Sequence, residues 1–284
     1  MNTTVIYHRA DYDGIFSREV AKRFLPATTN YIGWDYGDPV PEIPLDTKLY
    51  MIDLSIDALM TFPGLIWIDH HKSAIEKFPA ALKGYRIDGV AACRLAYQWF
   101  LKEQRDLAGM VWMLPDKLEF DERRVEEPLA LTLAGEYDVW VHKGDGAVEF
   151  QFGLDAQPEL DWDELFDSAD YVNKLVGEGA IAMRCYTKRD AVNVTERGFI
   201  HQWEGLNFLT LNTVRSNSNS FAARDVPETG HDALMTYFWN GKVWTFSLYH
   251  AKHNKEIDLS AIASKYKGGG HKGACGFQLA QLPF

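Results

Sequence analysis

Cysteine is scarce: the 284 residues hold three, Cys93, Cys185 and Cys275, far apart and never in a Cys-x-x-Cys pair. That excludes a disulfide framework and a thiolate zinc cage, and it fits a reducing compartment. Long hydrophobic runs are missing as well. No apolar stretch reaches the ~18 residues of a membrane-crossing helix, so no transmembrane segment and no membrane partner are expected. Before Arg9, Asp11 and Asp13 there is no basic segment leading into an apolar one, so no signal peptide is read and the cytoplasm is the expected location. Basic residues are in deficit, 29 Lys and Arg against 40 Asp and Glu, which leaves a net charge of −11. A surface of that sign repels duplex phosphate and anionic lipid, which argues against duplex DNA as a partner and suits a protein that gathers cations. Neither an internal repeat nor a low-complexity tract is present. The chain does have material for real cores, with 46 % hydrophobic and 24 % charged residues, enough for one large domain or two modest ones.

Over residues 1–90, short apolar runs alternate with helical patterns. Val5, Ile6 and Tyr7 form a run that stops at His8, and residues 31–34, 49–54 and 65–68 supply three more. Residues 15–25 offer Ile15, Val20, Phe24 and Leu25 for a buried helical face, and Pro26 ends it. Runs that are apolar on both faces are what a parallel sheet covered by helices requires, so an α/β domain is expected. Further helices are expected over residues 90–101 and 129–140, with a charged surface excursion over 113–127 between them. Residues 161–194 read as mostly helical, with Leu165, Tyr171, Leu175, Val176, Ile181 and Met183 as buried candidates. From Arg197 the pattern turns strand-like, over residues 201–214, 233–240 and 242–249, and Asn240-Gly241 is a two-residue hairpin signal. A helix over residues 257–266 leads into Gly268-Gly269-Gly270.

The acids and histidines are not scattered. His8, Asp11 and Asp13 follow the first strand, Asp53 ends the third, and Asp69, His70 and His71 follow the fourth. All fall at the carboxyl ends of presumed parallel strands, the edge of an open α/β sheet where ligands bind. A lone Asp at a strand end is commonly a helix N-cap, and two adjacent histidines are commonly a surface pair. The convergence of all of them on one edge is what favours chemistry. Crowded carboxylates repel one another, and divalent cations remove the conflict. Mixed His and Asp ligands without thiolate suit manganese or another six-coordinate first-row ion. Two such ions about 3.5–4 Å apart can share a water and clamp a phosphoryl oxygen, which makes a phosphate ester the natural substrate class.

Three segments, Ile6-Tyr7-His8-Arg9-Ala10-Asp11-Tyr12-Asp13-Gly14, Ile52-Asp53-Leu54-Ser55 and Ile68-Asp69-His70-His71-Lys72, resemble the first three motifs of the DHH phosphoesterase superfamily. Gly135-Glu136-Tyr137-Asp138-Val139-Trp140 resembles the fourth. Gly268-Gly269-Gly270-His271-Lys272-Gly273-Ala274-Cys275-Gly276-Phe277 is similar to the glycine-rich motif of the DHH-associated C-terminal domain. The resemblance implies two metal sites. His8, Asp11 and Asp53 would hold one ion; Asp13, Asp53, His70 and Asp138 would hold the other, with Asp53 shared. Asp138 is preferred over Glu136 and Asp145 on its Trp140 context. His71 would face the substrate phosphate as donor or general acid, and Asp69 would orient His70 or His71.

The glycine-rich segment also has its own physical reading. Glycines let backbone N–H groups approach an anion, and His271 and Lys272 add positive charge. Gly268, Gly269, Gly270, His271, Lys272 and Arg215 are thus the substrate-binding candidates. Tyr249 is open to two readings, a stacking surface for a base or an ordinary strand residue.

The expected architecture is α/β: a metal-binding catalytic domain over residues 1–165, a helical connector over 166–190 and a smaller mixed substrate-binding domain over 191–284, with the active site in the cleft between them. The expected cofactors are two divalent ions, manganese by preference. The expected substrate is a small nucleotide or a short single-stranded oligonucleotide, since a long strand needs an extended basic groove. Two alternatives stay open, a single-strand exonuclease and a low-turnover nucleotide-sensing module. Oligomeric state is open too, a homodimer included.

Overall fold

The computed structural model describes residues 2–106, 125–141, 146–213 and 230–283. The chain divides into two compact units, Met1–Gly179 and Ala180–Phe284.

The first unit is built on a four-stranded parallel sheet in the order β2-β1-β3-β4, with β1 at Thr3–His8, β2 at Asn30–Trp34, β3 at Lys48–Ile52 and β4 at Ile66–Ile68. Successive strand residues point to opposite faces. Val5, Tyr50, Ile52, Ile66 and Ile68 enter one core; Ile6, Leu49, Met51 and Trp67 enter the other. Both faces are therefore apolar, which is why these strands read as continuous hydrophobic runs. The first face is covered by α1 (Tyr12–Phe24) and α3 (Ala92–Asp106), whose Phe16, Val20, Leu95 and Trp99 are buried there. The same core takes in α4 (Leu129–Asp138), α5 (Ala147–Ala156), α6 (Trp162–Asp167) and the start of α7 (Ala169–Arg197). The short α2 (Lys72–Lys77) adds Ala74 to the opposite core.

A sheet buried on both faces leaves its polar groups to its ends and edges. At the β4 edge, residues 83–86 run alongside it: Trp67 N–H donates to Lys83 O at 2.8 Å and Asp69 N–H to Tyr85 O at 3.1 Å. Between these contacts Gly84 takes φ +132°, and a Cβ there would lie 1.8 Å from Trp67 O. Only glycine accommodates that bulge.

The second unit carries a six-stranded mixed sheet in the order β5-β6-β7-β8-β10-β9, from β5 Phe199–Trp203, β6 Leu206–Asn212, β7 Ala233–Trp239, β8 Trp244–His250, β9 Gly269–His271 and β10 Ala274–Leu279. Only β6 and β7 pair in parallel. The helix α8 (Leu259–Lys265), N-capped by Asp258, packs Leu259 and Ile262 against Phe208, Phe246 and Phe277. The expected class, a parallel-sheet α/β unit followed by a smaller mixed one, is what the chain forms. Among the described residues no helix is long and apolar enough to cross a membrane.

Local details differ from the sequence reading. Residues 201–214 are not one strand, because Glu204 and Gly205 both take positive φ and turn β5 back onto β6. The Asn240-Gly241 hairpin joins β7 and β8, but its connection spans residues 240–243: the Asn240 side chain accepts from the Lys242 and Val243 N–H groups and so organises a longer loop. The glycine-rich segment enters a strand, β9. Ile181, expected inside, is exposed. Most of the charged excursion lies outside the described residues.

Gly84→Ala is expected to destabilise the first unit by about 2–4 kcal/mol, from backbone strain and a forced clash. Gly64→Ala, with φ +74° and nothing near its Cβ, should cost only about 1 kcal/mol. Thermal unfolding of the two variants gives the ranking; equal losses would show that the bulge imposes no packing constraint.

Candidate metal centre

Each strand of the first sheet delivers a polar residue at its carboxyl end. His8 closes β1. Asp11 follows and N-caps α1, its Oδ1 accepting from Gly14 N–H at 3.0 Å. Gly14 is needed because a Cβ there would lie 1.8 Å from His8 O, so the Asp-x-Asp-Gly turn brings the helix hard against the strand end. Asp13, in the first turn of α1, accepts from Ala92 N–H at 2.8 Å and Cys93 N–H at 2.7 Å, and so holds the N-terminus of α3. Asp53 follows β3 with φ +65°, a left-handed conformation that Asp tolerates better than most residues. Asp69, His70 and His71 follow β4, and Asp138 is the last residue of α4.

These side chains converge in two neighbouring groups, His8 with Asp11 and Asp53, and Asp13 with His70 and Asp138, with Asp53 close to the histidine of each. His8 Nδ1 is 2.8 Å from Asp11 Oδ2 and 3.5 Å from Asp53 Oδ2. His70 Nε2 lies 3.3 Å from Asp138 Oδ2, 3.4 Å from Asp53 Oδ1 and 3.5 Å from Asp13 Oδ2. Asp53, 1 % exposed, offers one oxygen to each histidine.

Buried polar atoms are normally hydrogen-bonded. Here His8 Nδ1, both carboxylate oxygens of Asp53 and Asp138 Oδ2 are buried without a well-formed hydrogen bond. Ligands about 2.1 Å from a six-coordinate ion stand roughly 3 Å from one another. The spacing around His70 Nε2 is near that, and the imidazole and carboxylate donors suit a first-row divalent ion. The residues present fit a metal.

Electrostatics point the same way. Burial lowers the His8 pKa, but the Asp11 and Asp53 carboxylates beside its ring outweigh it and raise it to about 11. Burial also opposes charge on His70, and the surrounding carboxylates overcome it and hold its pKa well above the usual value. Asp53, despite burial, is held below the ordinary carboxylate range by His70 and His8. Burial pushes Asp138 up to about 7, the Asp53 and Asp11 charges adding to the shift and His70 opposing it. Burial, then Asp53 and Asp138, pushes Asp13 up as well. Without a cation, the acids compete for protons and for the two imidazolium groups.

Asp69 is different: its hydrogen bonds are made. Oδ1 accepts from His70 N–H at 2.7 Å and His71 N–H at 3.1 Å and lies 2.7 Å from His71 Nδ1; Oδ2 accepts from Trp67 Nε1 at 3.2 Å. His71 Nδ1 is 4.0 Å from Asp53 Oδ1. Asp35 was missed by the sequence reading. It follows β2, so the strand-end rule that selected the others applies to it, and its Oδ1 is 3.3 Å from His8 Nε2. Glu136 is buried but belongs to neither group, and Asp145 lies outside the described residues.

The substrate-binding candidates belong to the second unit. A Cβ on Gly268 would lie 2.0 Å from Gly276 O, and one on Gly270, at φ +127°, would meet Ala274 O at 2.7 Å, so β9–β10 packing explains both glycines. Gly269 has ordinary φ and open space around it. His271 pairs with Ala274 in that ladder, and Lys272 Nζ is 3.8 Å from Glu256. Arg215 lies outside the described residues. Tyr249 is buried in a small cluster with Leu209, Leu211 and Leu234, which settles it as a strand residue.

No protein-family model and no curated protein matches the chain. Solved structures do. The DHH domain of a protein described as a member of a ribosomal-protein family is 14 % identical, with a TM-score of 0.50 over 97 % of this chain and 82 % of that one. RecJ in complex with Mn²⁺ from Thermus thermophilus is 14 % identical, TM-score 0.46, over 98 % of this chain and 49 % of RecJ. The pGpG-specific phosphodiesterase PggH from Vibrio cholerae is 14 % identical, TM-score 0.39, over 99 % and 94 %. The first of these likenesses gives the chain the DHH-domain fold.

Titrating the metal-free chain with Mn²⁺ is expected to release protons, because raised-pKa imidazoles must become neutral to act as ligands. Affinity should therefore rise with pH, and Mn²⁺ at 100 times its Kd should stabilise the chain by about 2.7 kcal/mol. Asp53→Asn should weaken binding at least about tenfold. Calorimetry in buffers of different ionisation enthalpy, with thermal unfolding, checks all three; pH-independent affinity would contradict the assignment.

Proposed function

We propose that this DHH-fold chain is a divalent-metal-dependent phosphoesterase acting on small nucleotides or short oligonucleotides. The observation that carries the reading is the set of buried, unsatisfied ligand atoms on His8, Asp53 and Asp138, gathered at one sheet edge with His70, Asp13 and Asp11 beside them. His8, Asp11 and Asp53 would hold one ion, and Asp13, Asp53, His70 and Asp138 a second. Two divalent ions, with manganese preferred, would supply Lewis acidity toward a phosphoryl oxygen and acidify water.

The chain's own groups have distinct tasks. Asp53 is shared between the two ligand sets, and its left-handed backbone turns the carboxylate inward. Asp69 engages His71 Nδ1 and fixes the ring, so Nε2 is the atom that passes a proton to the leaving oxygen. Burial disfavours charge on His71, but the hydrogen bond and charge of Asp69 win and raise its pKa, which keeps that proton available. Asp35 orients His8 through the ring nitrogen opposite the cluster. The glycine-rich segment at Gly268–Gly270, with His271 and Lys272, is assigned to substrate phosphate. The net charge of −11 supports a short substrate over a long polyanion.

The test is a rate panel on the Mn²⁺-loaded chain with di- to hexaribonucleotides, long single-stranded DNA, 3′-phosphoadenosine 5′-phosphate and cyclic di-AMP. The short or small substrates should be hydrolysed fastest. His71→Ala should lower kcat by about 10²–10⁴-fold with Mn²⁺ affinity retained, and Asp53→Ala should abolish both. Preference for long DNA would favour the exonuclease, ligand binding without product would favour a sensor, and wild-type rates in both variants would overturn the site.

A further inference from the structure

Beside His8 stands an aromatic residue that no core accounts for. Tyr36 is 58 % exposed, yet it is held firmly. It lies in the turn that follows β2, where Asp38 N–H donates to Asp35 O at 3.0 Å and Gly37 takes φ +104°. Asp38 Oδ2 accepts from Asp35 N–H at 2.9 Å, and Asp35 Oδ1 accepts from Tyr36 N–H at 2.8 Å. Arg9 pairs with Asp38 and ties the turn back to the end of β1. The Tyr36 ring makes edge contacts with His8, at 6.0 Å and 68°, and with Trp34, at 5.4 Å and 70°.

A ring that stays more than half in water buries little apolar surface, so core stability does not explain why it is braced at the backbone and at the ring edge. Bracing of this kind lowers the ordering cost of binding. An aromatic face held rigid beside a phosphate-handling centre suits a flat ring carried on the phosphate ester itself, and the phosphate esters that carry one are nucleotides. Every base has a π-face, so stacking tolerates any sequence.

We propose that Tyr36 is a base-stacking platform: its exposed face takes the nucleobase of a nucleotide whose phosphate lies at the His8–Asp53 cluster. This rests on the phosphoesterase reading and adds that recognition reaches the base. Tyr36 is then a specificity residue that touches substrate.

The experiment compares kcat/KM of the Mn²⁺-loaded full chain for a 5′-phosphorylated diadenylate and for its abasic analogue with the same backbone. In Tyr36→Ala the ratio of the two values is expected to fall about 5- to 150-fold, equivalent to ~1–3 kcal/mol per stacked base. Tyr36→Phe should keep the ratio. A ratio unchanged in Tyr36→Ala, including an equal loss on both substrates, overturns the proposal and leaves Tyr36 as a brace for His8. If the wild type hydrolyses neither substrate, the phosphoesterase reading fails by itself, and the platform is read from 2-aminopurine ribonucleotide fluorescence with Mn²⁺ present. Quenching by wild type and its loss in Tyr36→Ala support the platform; absence of quenching by wild type overturns it.

Discussion

Asp53 is a carboxylate with almost no exposure, no well-formed hydrogen bond on either oxygen and a histidine on each side. Burying an ionised group is costly unless charge of the opposite sign is close. His8 and His70 supply that charge, and Asp11, Asp13 and Asp138 in turn compete for the same imidazoles. The conflict shows in the opposite displacements of the acids, Asp53 held ionised while Asp13 and Asp138 are driven toward protonation. Five acids, Asp35 included, around these two imidazoles make an arrangement short of positive charge. The rest of the first unit is organised around tolerating it.

That tolerance comes from the sheet. Two apolar faces, one under α1 and α3 and one beneath Trp67 and Met51, hold the strands in a fixed parallel register. Their carboxyl ends are then the place where side chains from distant parts of the sequence can meet. The Gly14 turn and the left-handed Asp53 both give up conformational freedom to bring polar atoms inward at that end.

The acids divide by how their oxygens are used. Asp69 and Asp35 are engaged with neighbours, the Oδ1 of each lying beside a ring nitrogen of His71 and of His8. Asp53 and Asp138 Oδ2 are not, and they are buried without a well-formed hydrogen bond. Asp11 and Asp13 do both, capping α1 and holding the N-terminus of α3 while standing in the ligand groups. A strand-end Asp that caps a helix can therefore also stand in such a cluster, because each carboxylate oxygen has two lone pairs.

The strands of the first unit, the helices around them and the chemical character of the cluster were legible in the chain itself, because apolar runs report burial on both faces and an acid after such a run reports a strand end. Asp35 obeys the same rule and could have been found by it. The second unit was harder to read: Glu204 takes a positive φ although it is not a glycine, and the Asn240 side chain lengthens a loop that composition alone makes short. Ile181 looked like core by type and is exposed. Tyr249 and Tyr36 are the same residue type, yet one is buried and the other stands in water next to His8. Residue type and spacing determined which acids and imidazoles gather and on which sheet edge they lie. Which oxygens are satisfied and which ring stays exposed were decided by tertiary packing alone, since hydrogen bonding and exposure depend on neighbours that are distant in sequence and adjacent only after folding.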